Sequence, residues 1–297
     1  MAIKDSPSRK VFNVANMIFL IIMTLICVLP FIHLIALSLS SELATSAGEV
    51  GLLPKDFSLE AYKFLLQKKD FFRAMGVSVI RVILGTLISM TLVILTAYPL
   101  SKENNRFKAR TKYVWFFAFT MFFSGGLIPT YMVIKELHLL DTIWALVLPG
   151  AVSVWNVVLL LNFFRQIPKE LEEAALIDGA GQFTILVKVF LPIAVPSLAT
   201  ILLFTMVGQW NSWFDGVMYL NTTSKYPLQT YLSTIVLDQN MTNLNSMSPE
   251  QLKRMSEIGS LNLKSAQIFL GALPILCVYP FLQKFFVKGI IVGSVKG

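Results

Sequence analysis

Between residues 12 and 39 the chain contains no Asp, Glu, Lys or Arg, and similar apolar blocks recur along its length. Blocks of this length constrain the fold more than any other feature. A transmembrane helix needs roughly 20 mostly apolar residues, and only helices or closed barrels satisfy every backbone polar group in lipid. Short alternating segments of the barrel type do not occur. The expected fold class is therefore all-α, a polytopic membrane protein with about six transmembrane helices. Composition agrees: 55% of the residues are hydrophobic and 14% charged, where soluble domains carry about a quarter charged.

Run lengths place the spans near 12–39, 75–100, 113–134, 142–164, 191–214 and 266–287. The opening "MAIKDSPSRK" followed by a long apolar run resembles a signal peptide. The run exceeds the roughly 7–15 residues of a signal core, so an uncleaved first span is expected. Residues 1–297 then form a single transmembrane domain.

The net charge of +8 is unevenly placed. With the N-terminus inside, Lys4, Arg9, Lys10, Lys102, Arg106, Lys108, Arg110, Lys112, Arg165, Lys169, Lys188, Lys284, Lys288 and Lys296 share one side. The acids there are Asp5, Glu103, Glu170, Glu172, Glu173 and Asp178, and the opposite side is neutral overall. Short basic loops such as "KENNRFKARTK" face the cytoplasm by the positive-inside rule. Both termini are expected in the cytoplasm of a bacterial cell, in its cytoplasmic membrane, and the charge needs no nucleic acid. Two longer polar segments, about 40–74 and 221–264, fall outside and suit an external docking partner. Arg81, near the outer end of the second span, is expected to snorkel to the interface.

Catalytic and metal motifs are missing from the sequence. It has no G-x-x-x-x-G-K-[ST], no H-E-x-x-H, no cysteine pair at zinc spacing and no G-x-S-x-G. His33 lies in the first span and His138 in an outer turn, so each reads as a hydrogen-bonded or solvated histidine. Cys27 and Cys277 read as small buried hydrophobes rather than a disulfide. No metal site and no enzyme activity are expected.

One amphipathic insert interrupts the apolar pattern: "EEAALIDGAGQFTILVKVFLP", within about 168–192. Pro168 suits a helix start, and Glu170, Glu172 and Glu173 fall where the helix dipole favours negative charge. Gly179 and Gly181 supply a stop. A second helix from about Gln182 would bury Phe183, Leu186, Val187 and Phe190, spaced as one helix face. Leu191 and Pro192 lead into the fifth span. An amphipathic pair on the inner leaflet is one reading, but interfacial helices usually carry Lys/Arg on the polar face. The acidic start suits a protein partner with a basic groove better.

The same insert carries a resemblance. Glu173-Ala174-Ala175, three residues, Gly179, nine residues, then Val189-x-Leu191-Pro192 resembles the EAA motif of bacterial ABC importer permeases, with Val189 where the family prefers Ile. "SGGLIPTYMVIKELHLLDTIWALVLP", "QWNSWFD" and the terminal "GIIVGSVKG" are similar to carbohydrate importer permeases of the maltose-transporter type, above all the lipoprotein-dependent oligosaccharide and polysaccharide permeases. The resemblance implies a second homologous permease subunit, two ATPase subunits that bind ATP and Mg, and an extracytoplasmic solute-binding protein. This chain itself would hold no cofactor. The resemblance further implies that Glu172, Glu173, Ala174, Ala175, Asp178, Gly179, Phe183, Leu186, Leu191 and Pro192 form the ATPase-coupling segment. Glu173 would pair with a basic residue, Gly179 would make the bend, and Ala174 and Ala175 would allow close approach. The tail Val295, Lys296 and Gly297 would reach towards the ATPase dimer.

Polar groups inside spans usually face a bundle interior or a cavity. Asn156, Gln209, Asn211 and Asp215, with Trp210 and Trp213, could line a carbohydrate path, since aromatic faces stack on sugar C–H surfaces. Helix glue and an interfacial tryptophan belt are the competing roles. Ser124-Gly125-Gly126 with Pro129 should loosen or break the third span, as a gate or a fixed kink. A permease for another solute, a self-contained channel or carrier, and a membrane enzyme are the alternatives. The lack of ion-relay carboxylates deep in the spans speaks against the carrier.

Overall fold

We describe a computed structural model of the chain that covers residues 7–67, 69–237 and 260–294. The tail residues Val295, Lys296 and Gly297, and residues 238–259 of the second outer segment, lie outside the described residues. Among the described residues every regular element is helical. In order they are α1 (Pro7–Ser38), α2 (Glu42–Ser46), α3 (Glu60–Gln67), α4 (Lys69–Ser101), α5 (Arg110–Phe122), α6 (Leu127–Glu136), α7 (Ile143–Val147) and α8 (Val154–Phe164). Then come α9 (Lys169–Ile177), α10 (Gln182–Ile185), a π-helical turn (Leu186–Phe190) and α11 (Leu191–Ile193). The chain continues through α12 (Val195–Asn211), α13 (Phe214–Tyr219), a short 3-10 turn (Thr223–Lys225), α14 (Leu228–Leu237) and α15 (Ser260–Ser294).

The apolar blocks become helices, but not all as unbroken spans. Three helical stretches, Pro7–Ser38, Lys69–Ser101 and Leu261–Pro280, are long and apolar enough to cross a membrane alone. Two more spans arise if each bent pair counts as one: α5 with α6, bent by 116°, and Gln182–Ile193 with α12, bent by 84°. The first break falls at the Gly-Gly-Pro stretch of the third expected span. Gly126 there has φ +81°, a conformation that glycine adopts without steric penalty. The fourth expected span, 142–164, divides into α7 and the eleven-residue α8. Its cause is local. Pro149 lacks an N–H and crowds the preceding turn, and the Ser153 hydroxyl restarts a helix by accepting from the Asn156 amide at 3.4 Å.

Backbone proximity separates the chain into two compact units, Met1–Lys69 with Thr234–Leu273, and Asp70–Ser233 with Pro274–Gly297. In the first, Ala61, Phe64 and Leu65 of α3 pack with Leu263 and Ala266 of α15. Asn262 fastens the end of α1 by donating to the carbonyls of Leu37 at 3.2 Å and Ser40 at 2.6 Å. His33 Nδ1 lies 2.8 Å from the Gly51 carbonyl, the hydrogen-bonded state expected of it. Cys27 is free but exposed on α1 rather than buried, and Cys277 is likewise free and exposed. A helix side left bare suits lipid or another chain as well as an interior.

The second unit has the larger core. Val93, Ala97 and Tyr98 of α4 meet Leu160 and Phe164 of α8, Ile185 and Phe190 of the insert, and Ala194 and Ile201 next to or within α12. Ala97 and Ala194 have no exposed surface, as expected where small residues let helices approach closely. A second cluster joins Ile134, Ala145 and Leu146 to Tyr219 and Leu220. Beside it Asp141, at φ +58°, accepts from the amides of Asn221 and Thr222 at 3.1 and 3.0 Å and from Lys225 Nζ at 2.6 Å.

Candidate functional site

The insert folds as a capped, bent helical pair. Pro168 precedes the first turn of α9 with φ −55°, and Glu170 and Glu172 occupy that turn. Asp178 caps the helix, and Gly179 turns it at φ +80°. The Gly179 amide donates to Leu176 O at 3.0 Å and the Ala180 amide to Ala175 O at 2.9 Å. This paired closure is the Schellman pattern, which satisfies the helix's last carbonyls.

The second half departs from the expected stripe. Ile185, Leu186 and Phe190 are at most 4% exposed, whereas Phe183 is 71% exposed and Val187 43%. The π-helical turn Leu186–Phe190 is the physical reason. A π turn holds one extra residue, so positions five apart, Ile185 and Phe190, share the buried face. A period of 3.6 picked Phe183 and Val187 and missed Ile185. Leu191 is half-buried and Pro192 exposed.

Adjacent carboxylates take opposite roles in α9. The Glu173 side chain is 57% exposed, while that of Glu172 is 10% exposed. Glu172 Oε1 accepts from Arg106 Nη1 at 2.9 Å, and Lys102 Nζ stands 2.8 Å from Oε2. The Lys102 contact is an ion pair without the angles of a directed hydrogen bond. Arg106 also reaches Glu173, at 3.6 Å. Burial pushes the Lys102 ammonium below its ordinary pKa, and Glu172 opposes that shift. Its Nζ lies 4.0 Å from the ring centre of Tyr98 and 4.1 Å from that of Phe190. On the surface Lys169 pairs with Glu103, which lowers the Glu103 pKa and raises that of Lys169.

Glu173, Ala174, Ile177 and Asp178 are all exposed, with Ile177 at 87%. Positions 173 and 177, like 174 and 178, are one helical turn apart, so they share a face. Ala175 is half-buried. Ile177 lies outside the segment residues expected from the sequence alone. Its signal was a large apolar residue just before a helix stop.

The residues proposed for a carbohydrate path are only partly available. Asn156 is buried and donates to Thr205 Oγ1 at 3.3 Å. Gln209 Oε1 accepts from Arg81 Nε at 3.1 Å, and Asp215 is held by the same guanidinium. Trp210 is buried, while Asn211 and Trp213 are exposed. Arg81 does not snorkel. It is 2% exposed and donates to Gln209, to Ser212 O and to Asp215. A carboxylate within reach removes the need to extend towards water.

Comparison with known proteins gives this geometry a context. No family profile matches the sequence. The chain is 42% identical to protein LplC of Bacillus subtilis (strain 168), over 99% of this chain and 97% of that protein. It is 40% identical to the polygalacturonan/rhamnogalacturonan transport system permease protein YtcP of the same organism, over 97% and 99%. Among solved structures, a bacterial ABC transporter involved in the import of the acidic polysaccharide alginate contains a chain that matches with a TM-score of 0.86 and 32% identity, over 95% of this chain and 99% of that one. The chain belongs to the carbohydrate-importer family of ABC transporter permeases.

Proposed function

We propose that this chain is the transmembrane permease subunit of an ATP-driven, binding-protein-dependent importer of oligosaccharides or polysaccharide fragments. A second homologous permease completes the path. Two ATPase subunits bind ATP and Mg and supply the energy, an extracytoplasmic protein delivers the carbohydrate, and this chain carries out no chemistry of its own. The observation that carries the reading is the exposed face of α9 with its glycine bend. Glu173, Ala174, Ile177 and Asp178 offer a carboxylate, a flat contact and an apolar anchor side by side. A basic groove on an ATPase subunit complements that face. The concentration of lysine and arginine around 102–112 supports placing it in the cytoplasm, with both termini. On this reading Val295, Lys296 and Gly297 extend towards the ATPase dimer. Asn211 and Trp213, which keep free surface, are the better candidates for touching the carbohydrate.

Closure of the ATPase pair on ATP moves α9 and switches the path from inward- to outward-facing, a rigid-body transition. The test uses the assembled complex in liposomes with the binding protein. Glu173→Lys should abolish both carbohydrate uptake and stimulated ATP hydrolysis. Undiminished uptake and hydrolysis would refute the coupling role. Binding-protein affinity for oligosaccharides over amino acids or ions tests the solute class.

A further inference from the structure

The insert is held to α4 by a clamp built from three of its own stretches. Glu172 of α9 meets Lys102 and Arg106, which follow the Ser101 end of α4. Gln182 of α10 accepts from the Tyr98 hydroxyl at 2.9 Å. Phe190 of the π turn stands edge-on to Tyr98, with ring centres 5.0 Å apart, and the two rings together flank the Lys102 ammonium. Exposed ion pairs bind weakly. Here the side chains of Lys102 and Glu172 are 9% and 10% exposed, so water and salt screen them little. Arg106 bridges the buried and the exposed carboxylate.

The helix so clamped is long. From Lys69 to Ser101 α4 has no break, and about three turns in from its other end Arg81 is tied to Asp215. At 1.5 Å per residue the two ionic ties stand roughly 30 Å apart, about the thickness of a bilayer core. A push on α9 would be absorbed by its short joints to α8 and α10 if nothing fixed α9 to α4. The buried clamp removes that slack.

We propose that Glu172 is a positioning residue rather than a docking contact: locked by Lys102 and Arg106, it makes α9 and the Ser101 end of α4 move as one body, so that displacement of the exposed α9 face is delivered along α4. The inference rests on the coupling reading given above. It assigns the two neighbouring carboxylates different work, Glu173 outward to the ATPase and Glu172 inward to α4.

The experiment uses the complete complex in liposomes with binding protein, carbohydrate and ATP. Two quantities are measured: carbohydrate imported per ATP hydrolysed, and ATPase subunits retained through purification. The variants are Glu172→Gln, Lys102→Met and the pair together. Each single change should lower import per ATP by at least about fivefold, the low end for loss of a coupling interaction. The double variant should fall no further than the worse single one, and the ATPase subunits should stay bound. An unchanged ratio in the single variants, multiplied effects in the double, or loss of ATPase subunits on Glu172→Gln would overturn the proposal. Lys102→Met, which leaves the carboxylate to Arg106, carries the test alone if Glu172→Gln does not fold. Glu173→Lys with intact uptake and hydrolysis would instead refute the coupling reading itself.

Discussion

Arg81 and Asp215, 134 positions apart, form a two-pronged ion pair, with Nη1 donating to Oδ1 at 3.1 Å and Nη2 to Oδ2. The pair joins α4 to the first turn of α13. Ser212 and the Gly216 amide donate to the same carboxylate at 2.9 Å, so its remaining acceptor sites are largely used. A charge pair satisfied in this way holds helices in register.

Removing one partner should therefore hurt more than removing both. Side-chain exposure is 3% for Arg81 and 22% for Asp215. Breaking a buried pair costs about 3–5 kcal/mol, and the partial exposure of Asp215 points to the lower figure. Asp215→Asn should depress the thermal unfolding temperature of the detergent-purified complex markedly. The double change Arg81→Met with Asp215→Leu should regain much of the loss. Independent, additive effects of the two sites would show that the pair does not couple them.

The Arg81 pair also marks the limit of what the sequence tells. Apolar run length is a one-dimensional signal, so the three long helices and the glycine-rich break could be read directly. The α9 bend was legible too, because a glycine stop and acidic first turn act within a few residues. Three-dimensional pairing leaves no such trace. Nothing near Arg81 in the sequence points to Asp215, and an isolated arginine near a span end fits snorkelling equally well. Lys102 and Arg106 read as topology-setting charge, and their pairing with Glu172 depends on a fold that brings positions 66 or more apart together. The π turn hid for another reason: a one-residue insertion keeps the composition and shifts only the phase of the face.

At the bend of α9 the constraint is backbone alone. Gly179 has φ +80°, yet a Cβ placed there meets nothing within 4 Å. Side chains with a Cβ pay roughly 1–2 kcal/mol in this conformation, a factor of about 5–30 in the bent population. Asn, which tolerates it better, should be the mildest replacement. Carbohydrate-stimulated ATP hydrolysis should rank Gly179, then Gly179→Asn, then Gly179→Ala, then Gly179→Val. Equal activity across the series would mean that the bend conformation does not matter to coupling.

Asp141 makes a prediction in pH. Its carboxyl is held well below the usual carboxylate range, first by Lys225, then by the amide and hydroxyl of Thr222. A depressed carboxylate pKa stabilises the fold above the unfolded value of about 3.9, and the gain is lost as pH falls through the folded value. The tie between the 141 turn and residues 221–225 should thus persist from pH 7 down to about pH 4. Hydrogen-exchange protection of the Thr222 amide should stay constant over that range and fall on Asp141→Asn. Loss of protection near pH 5 in the unaltered chain would contradict the assignment.

Two helical glycines should differ sharply when given a methyl group. At Gly216 a Cβ would lie 2.1 Å from Thr230 Oγ1 and 2.9 Å from its Cβ and Cγ2. Thr230 has no exposed surface, and its hydroxyl donates to Trp213 O at 2.9 Å, so it cannot swing away. At Gly85 the Cβ would meet the Gln209 amide, at 2.7 Å from Cδ. That amide ends a flexible side chain and can move, giving up its hydrogen bond from Arg81 Nε. Gly216→Ala forces helices apart and should destabilise by about 1–3 kcal/mol. Gly85→Ala should cost about 1.5 kcal/mol, the low end for a hydrogen bond to a charged group, because Arg81 keeps its bonds to Ser212 and Asp215. Thr230→Ala, which deletes two of the three clashing atoms, should rescue part of the Gly216→Ala loss, whereas Gln209→Ala should leave Gly85→Ala no worse than the single change. Thermal unfolding of the purified complex reads all four, and a larger loss for Gly85→Ala than for Gly216→Ala would show that the packing at Thr230 is looser than its contacts indicate.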